Sequence, residues 1–548
     1  MPPISIPSDH LPTQKEHPVV WSVAGSDSGG GAGIQADQRA FECFGVHGCF
    51  AVAALTAQNS VAVEAVEPVS PAFLDAQLAA LAKDMPPAAI KTGMLASVEN
   101  VRVVAKWVDA LRKRSPQAAS ALVVDPILRA STGRQFAGDA LRQAMLQELL
   151  PRATVVKPNL KEALWLVTGQ EKNASDIDVM QMPELAKALR AFGARSVVIT
   201  GGDYCDETGA DYTSDWLDTP QVRGWLSLPR VDKSTMHGTG CTLTASVAGA
   251  LALGFCEADA VILAKMAATY AVREGYVVGA GTGMVYAGKD FAVQPGLLPY
   301  LSASPLSSAP SLGGDGGLSG FPALSDPQMG LYAIMDSFEW VKCVVDAGVR
   351  TVQLRIKADD VRIQGEQGRR FLSEEVRCSS QYARAAGVQF FVNDHWELAL
   401  EHGAYGVHLG QEDLPHADLK ALREAGLRLG VSTYSLWDVC IAKAVKPSYY
   451  ACGPIYETQS KVVNYLSQGL DNLAYFSHML DRPVVAIGGI DLARACDVVR
   501  SGAKGVAVIS AIMGQESPEQ AIAQLQGEIV KGRGLPRFAV PLLPHSVL

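Results

Sequence analysis

Residues 293–327 read VQPGLLPYLSASPLSSAPSLGGDGGLSGFPALSDP, a run in which Pro, Ser, Gly and Leu displace any helical or strand period. Such composition reads as a linker, and a structureless loop of that length inside one compact domain would be exceptional. The chain of 548 residues therefore divides into a tail over 1–18, a domain over 19–292, the linker, and a second domain over 328–548. The length, well beyond one ordinary core, fits this division. No repeat relates the two halves, so two different folds are expected.

On the N-terminal side of the linker, short apolar runs alternate with Ala- and Leu-rich stretches of helical character. Strands are expected at VVWSVAG ending at Gly25, CFAVAALTAQ ending at Gln58, AIKTGML ending at Leu95, ALVVDPIL ending at Leu128, TVVKPN ending at Asn159 and SVVITGG ending at Gly202. Apolar on both faces, they describe a mostly parallel sheet between helix layers, with a hairpin over 211–218 and 224–231 added at one edge. Open sheets of this kind bind ligands beyond the carboxyl ends of their strands.

On the C-terminal side, eight strands start at Leu331, Thr351, Gln389, Gly406, Arg428, Tyr449, Pro483 and Gly505, most of them separated by helical stretches. Eight β/α units in just over 200 residues are the pattern of a small (β/α)8 TIM barrel. Its polar residues gather where that fold places its chemistry, at or just past the strand ends.

Lys and Arg number 47 against 56 Asp and Glu, a net charge of −9, and 48% of residues are hydrophobic. A mild acidic balance argues against a nucleic-acid groove, and the apolar content argues against disorder. The ten cysteines contain no C-x-x-C pair, which suits a reducing cytoplasm rather than a disulfide framework or zinc ribbon. The uncharged run from Cys43 to Val63 is interrupted by His47, Thr56, Gln58, Asn59 and Ser60, so no membrane association is expected. Met1 to Pro18 lacks the basic start and apolar stretch of a signal peptide. Whether the chain forms a homo-oligomer is left open by the sequence.

Three segments of the first half carry chemistry. In MHGTGCTLTASVAGALALG, Gly238, Thr239, Gly240 and Cys241 open an apolar helix, whose free N–H groups can cradle a phosphate; a plain tight turn is the alternative. SDSGGGAGIQAD supplies a second glycine-rich turn. In KPNLKE, Asn159 and Glu162 can hold Mg²⁺ through water or form a capping box, and the two readings are compatible. A thiol at a helix start, as at Cys241, is expected to have a lowered pKa and to accept a proton; a small buried core residue is the alternative.

In the second half, Gln353, Arg355 and Lys357 alternate along a strand and point to one side, which suits a diphosphate. Asp394 and Asp413 stand at neighbouring strand ends beside this stripe and read as Mg²⁺ ligands. His395, His402 and His408 lack metal-ligand spacing and are expected to be structural or at the surface. Thr458, Ser460 and Lys461 fall in a loop after the sixth strand, and Gly489, Ile509 and Ser510 end strands seven and eight, where barrels commonly bind phosphate.

AGSDSGGGAGIQAD, TAQNS, IKTGML, VVDP, KPNLKEA and HGTGCTL together resemble the hydroxymethylpyrimidine/phosphomethylpyrimidine kinase family of the ribokinase-like fold, over roughly residues 19 to 290. That resemblance implies pyrimidine contacts at Asp37, Gln58, Met94 and Ile127, a catalytic Cys241, and binding of ATP and Mg²⁺ around Asn159, Glu162, Gly238, Thr239 and Gly240. One departure stands out: many members carry Lys before the GG of VVITGG, where this chain has Thr200. From about residue 330 to 525 the motifs resemble thiamine phosphate synthase. This implies a diphosphate held by Gln353, Arg355, Lys357, Asn393, Ser432 and a catalytic Lys461, with Asp394 and Asp413 on its Mg²⁺. Thiazole phosphate would lie on Thr458, Gln459, Ser460, Gly489, Ile509 and Ser510. The segment VVNYLSQGL after Lys461 departs from the loop expected there.

The resulting expectation is a bifunctional thiamine-biosynthesis enzyme whose kinase half makes the diphosphate that the barrel consumes. Its rivals are a different small-alcohol kinase, or a catalytically weak pyrimidine-binding or regulatory domain, joined to the same barrel.

Overall fold

The computed structural model describes residues 17–114, 120–127, 138–170, 178–202, 211–231, 234–306, 320–357, 360–458 and 465–548. The first half is built on ten strands: β1 (Val19–Asp27), β2 (His47–Gln58), β3 (Val63–Pro68), β4 (Ala89–Thr92), β5 (Ala121–Val124), β6 (Val155–Val156), β7 (Ser196–Ile199), β8 (Tyr212–Asp218), β9 (Arg223–Pro229) and β10 (Tyr300–Ser302). They lie in the order β10-β9-β8-β7-β6-β5-β4-β1-β2-β3. From β7 to β2 every pairing is parallel, while β3 and the β8–β10 meander pair antiparallel at the two edges. Burial explains the parallel centre: β4, β6 and β7 are buried along their whole length, so their apolar runs need a helix layer on each face. The chain leaves β1 toward β2 on one side and returns to β4 on the other, which makes the β1/β4 carboxyl edge a topological switch point.

The second half is a closed barrel of eight parallel strands: β11 (Gly330–Met335), β12 (Thr351–Leu354), β13 (Gln389–Asn393), β14 (Gly406–Leu409), β15 (Arg428–Thr433), β16 (Tyr449–Cys452), β17 (Val484–Ile487) and β18 (Gly505–Val508). Tyr332, Phe391, Tyr449, Ala451 and Val485 fill its interior, so the barrel is a packed core with its chemistry at the rim. The expected α/β/α sandwich and TIM barrel are both present.

The linker expected over 293–327 is structured at both described ends. Tyr300–Ser302 pairs with Trp225–Ser227 of β9 and so belongs to the first sheet. At the other end Phe321 is buried, its N–H donating to Lys446 O at 3.0 Å and its ring lying 4.9 Å from the Arg423 guanidinium. Proline and serine gave these segments a linker's composition, while Leu298, Leu301 and Phe321 gave them enough apolar surface to dock.

Candidate active sites

Asp27 ends β1 and organises the first glycine-rich turn. Its carboxylate accepts N–H from Gly29 at 2.8 Å, Gly31 at 3.0 Å and Ala32 at 2.8 Å, and lies 3.1 Å from His237 Nε2. Burial alone would raise its pKa, but the His237 contact and the Gly29 and Ala32 N–H groups hold it below the usual carboxylate value. His237 also stands 3.3 Å from the amide of Gln58, so it joins the strand end after β1 to that of β2. The second glycine turn packs directly on the first: Gly238 has φ 92, and a Cβ there would sit 2.1 Å from Gly31 O. Neither a side chain nor an ordinary backbone conformation fits at this contact.

Two buried ion pairs flank Cys241. Lys91 Nζ lies 2.9 and 2.8 Å from the two oxygens of Asp37, which also accepts from Ser22 Oγ at 2.6 Å. Lys157 Nζ lies 3.0 Å from Asp125, which accepts from Thr244 Oγ1 at 2.9 Å. Burial raises the Asp37 pKa against the opposing pull of Lys91. Met94 is buried beside Gly25, and Ile127 approaches the Gly93 turn that also faces Lys91 Nζ. Thus Asp37, Met94, Ile127 and Cys241 converge beyond β1, β4 and β5, and Gln58 reaches the same edge from β2.

The expectation of a lowered thiol pKa at Cys241 is corrected. Burial pushes it up to about 11, and Asp37 and Asp125 add to the rise against the opposing effects of Lys91 and the Gly33 N–H. Sequence alone showed the helix start and not the carboxylates brought in from the helix Gly33–Phe44 and the end of β5. Asn159 and Glu162 form the capping box: Asn159 Oδ1 accepts from Glu162 N at 2.8 Å and Glu162 Oε2 from Asn159 N at 2.9 Å. Thr200 pairs with Asn159 across the strand ends. The helix Thr239–Ala252 starts at Gly238, with Thr239 and Gly240 in its first turn.

In the barrel, Gln353 Nε2 donates to Asn393 Oδ1 at 2.7 Å, which brings two expected diphosphate residues together. Arg355 is half-buried just past β12 and Lys357 is exposed. Asp394 is exposed with φ 61, a left-handed conformation that costs a non-glycine residue about 1 kcal/mol or more and concentrates at functional positions. Asp413 is half-buried, with Oδ2 3.3 Å from Gly410 N. Two carboxylates at adjacent strand ends are hard oxygen donors that suit Mg²⁺, with substrate oxygens and water left to complete its shell. Among the described residues no set of three or more His, Cys, Asp or Glu side chains is placed to hold a metal.

His408, expected to be structural or at the surface, is buried and reaches Ser432, one of the expected diphosphate residues. Its Nε2 lies 2.9 Å from Ser432 Oγ and its Nδ1 2.7 Å from Tyr449 Oη, which in turn is 2.8 Å from Tyr332 Oη. Gln411 Nε2 donates to Ser432 O at 2.7 Å. These cross-barrel partners are far apart in sequence, and the GVHLG run carried no spacing signal for them. At strands seven and eight, Gly488 and Gly489 have φ 98 and 63, and Ile509 caps the short helix Ser510–Met513. Thr458 is half-buried at the end of the loop after β16. Gln459, Ser460 and Lys461 lie outside the described residues.

Residues 27–286 match the family model of phosphomethylpyrimidine kinase, and residues 325–512 that of thiamine monophosphate synthase. A chloroplastic thiamine biosynthetic bifunctional enzyme of Arabidopsis thaliana is 33% identical over 513 residues, covering 91% of this chain and 90% of that protein. The thiamine-phosphate synthase of Citrobacter koseri is 45% identical over 206 residues, 37% of this chain and 93% of that protein. Among solved structures, an ADP complex of Bacillus subtilis pyridoxal kinase is 31% identical, covers 50% of this chain and 98% of its own, and has a TM-score of 0.45. Both family matches follow one another on a single chain, and the Arabidopsis relative aligns across the two. The chain thus belongs to the bifunctional thiamine-biosynthesis enzymes, a phosphomethylpyrimidine kinase domain followed by a thiamine phosphate synthase domain.

Proposed function

We propose that the first half transfers phosphate from ATP to hydroxymethylpyrimidine and then to its monophosphate. The second half condenses the resulting diphosphate with thiazole phosphate to give thiamine phosphate and free diphosphate. The observation that carries the kinase reading is the convergence at Cys241: two glycine-rich turns and two buried Lys–Asp pairs meet beyond the switch point of the sheet. Gln58, Met94 and Ile127 would line the pyrimidine, with Asp37 and Lys91 at its buried end. The turn Gly238, Thr239 and Gly240 would receive the phosphates, chiefly through the Gly238 and Gly240 N–H groups because that of Thr239 donates to Met236 O at 3.2 Å, with Asn159 and Glu162 on the flank. Because its thiol is held near pKa 11, Cys241 serves by aligning the hydroxymethyl oxygen. A loose phosphoryl-transfer transition state asks little of a base, so positioning dominates.

In the barrel, Asp394 and Asp413 would hold Mg²⁺, which when bound offsets diphosphate charge. Gln353, Arg355, Lys357, Asn393, Ser432 and Lys461 bind and orient the departing diphosphate. Thr458, Gln459, Ser460, Gly489, Ile509 and Ser510 hold the thiazole phosphate so that its ring nitrogen faces the pyrimidine methylene carbon. The C–O bond to diphosphate breaks, and the nitrogen lone pair closes on the resonance-stabilised cation. The ten cysteines suit a reducing cytoplasm.

Mass-spectrometric detection of thiamine phosphate from hydroxymethylpyrimidine, thiazole phosphate and Mg-ATP tests the whole sequence. Product that forms only when pyrimidine diphosphate is supplied directly would leave the barrel reading intact and overturn the kinase reading.

A further inference from the structure

We propose that Lys157 is a catalytic residue of the kinase half, its ammonium neutralising the phosphoryl group as that group passes from ATP to the pyrimidine alcohol. The inference rests on the kinase reading above. Strand β6 delivers Lys157 to the same edge as Asn159, two residues on. The side chain is 5% exposed, and burying an ammonium costs several kcal/mol unless something compensates it. Asp125 at 3.0 Å does so.

The direction of the ammonium is what assigns the role. A Cβ built on Gly240 would meet Lys157 Nζ at 3.2 Å and, apart from its own helix turn, no other atom within 4 Å. The charge therefore faces the first turn of the helix Thr239–Ala252 through the gap that Gly240 leaves. Backbone N–H groups and a full positive charge converge on one place, which is what a phosphoryl group in transit requires. Lys91, the other buried lysine here, is held by both oxygens of Asp37 and faces the Gly93 turn rather than the helix start. Thr200 stands on the neighbouring strand end, its N–H donating to Pro158 O at 3.0 Å and its carbonyl accepting from Leu160 N at 3.2 Å. It brings no charge to that edge; Lys157, one strand over, does.

In the transfer, the hydroxymethyl oxygen forms a bond to the γ-phosphorus and the bond from that phosphorus to the bridging oxygen breaks, its electron pair leaving on ADP. The hydroxyl proton departs to a phosphate oxygen or solvent, and Lys157 remains an ammonium throughout.

The test is Lys157→Met in the full chain, alone and with Thr200→Lys. Turnover and KM for hydroxymethylpyrimidine are read, and barrel condensation is assayed on the same sample to check folding. The single variant should lose about 10²-fold or more in kcat with KM changed less than about threefold, while condensation is unchanged. Thr200→Lys, placing an ammonium on the adjacent strand end, should recover at least tenfold of that loss. Wild-type kcat in Lys157→Met, a collapse of pyrimidine binding in step with kcat, or absence of recovery in the double variant each overturns the role. Should Lys157→Met fail to fold, Lys157→Gln, which still donates to Asp125, carries the same expectations. A wild-type chain without kinase turnover would instead overturn the kinase reading itself.

Discussion

Cys241 lies under two opposing influences: the N–H groups of a helix start favour a thiolate, and burial beside Asp37 and Asp125 favours the thiol. Burial prevails, and the pKa rises to about 11. Cys241→Ala should slow phosphorylation of the pyrimidine alcohol by about 10²-fold through lost alignment, with condensation by the barrel unaffected. The wild-type kcat/KM profile should show no thiol ionisation near pH 7; a break there that vanishes in Cys241→Ser would restore the thiolate base. Asp394 and Asp413 pose the converse problem, since two carboxylates beside the proposed diphosphate would repel it by like charge unless a cation lay between them. Asp394→Ala and Asp413→Ala should each abolish condensation far more than phosphorylation, and chelator should stop condensation when pyrimidine diphosphate is supplied. Normal condensation by the double variant in excess chelator would remove both from metal binding. Residue types in motifs were legible from sequence at these positions. Their partners were not, because Lys91–Asp37, His237–Asp27 and His408–Ser432 are made only when segments distant in sequence are brought side by side.

At the scale of elements, the helix Leu436–Val445 of the barrel begins under a carboxylate from the other half. Asp259, on the helix Glu257–Arg273, accepts from Trp437 N at 3.1 Å, adding to the cap that Ser435 provides. Burial pushes the Asp259 pKa up to about 8, with Asp438 adding to the rise and the Trp437 and Leu436 N–H groups opposing it. A carboxyl raised in the folded state contributes stability that is fully present below its unfolded value near 3.8 and is lost as pH rises through about 8. Asp438, raised by burial to about 6, acts in the same direction over a narrower span. Asp259→Asn keeps an acceptor for Trp437 and cannot ionise, so its Tm should fall less than wild type between pH 5 and 8. Parallel Tm curves for the two chains would show that Asp259 does not titrate across folding. Elements themselves were largely readable: all eight barrel strands and six strands of the first sheet stand out as apolar runs. β3 and β10 did not, since VEAVEP is an exposed edge strand with two glutamates and β10 is three residues inside a proline-rich run.

Across the whole molecule the halves are joined by contact as well as by chain. Tyr475 Oη donates to Ala292 O at 2.7 Å, His478 Nε2 lies 2.9 Å from Val293 O, and Lys443 reaches Leu298 O with its ammonium 4.2 Å from the Tyr300 ring centroid. Trp437, Tyr475, Leu298 and Leu301 are buried, so separating the halves exposes aromatic surface. The barrel closes on itself, however, and its rim residues come from its own strands. A barrel cut from the chain should therefore still condense supplied pyrimidine diphosphate with thiazole phosphate. Where it is cut matters. A start at Ser325 keeps the Ser325 N–H bond to Tyr405 Oη at 2.7 Å, yet discards Phe321 from its place under Arg423 and the Pro322 carbonyl that accepts from Ser448 Oγ at 2.7 Å. Losing one buried phenylalanine and the acceptor of the Ser448 hydroxyl, which keeps only the N–H it receives from Leu429 at 3.0 Å, should cost roughly 2–4 kcal/mol, or about 5–10 °C in Tm for a domain of this size. A fragment starting at Gly320 should thus melt that much higher than one starting at Ser325, with both active. Equal melting temperatures would show that 320–324 contributes nothing to the barrel, and two inactive fragments beside an active full chain would show that the rim depends on the kinase half.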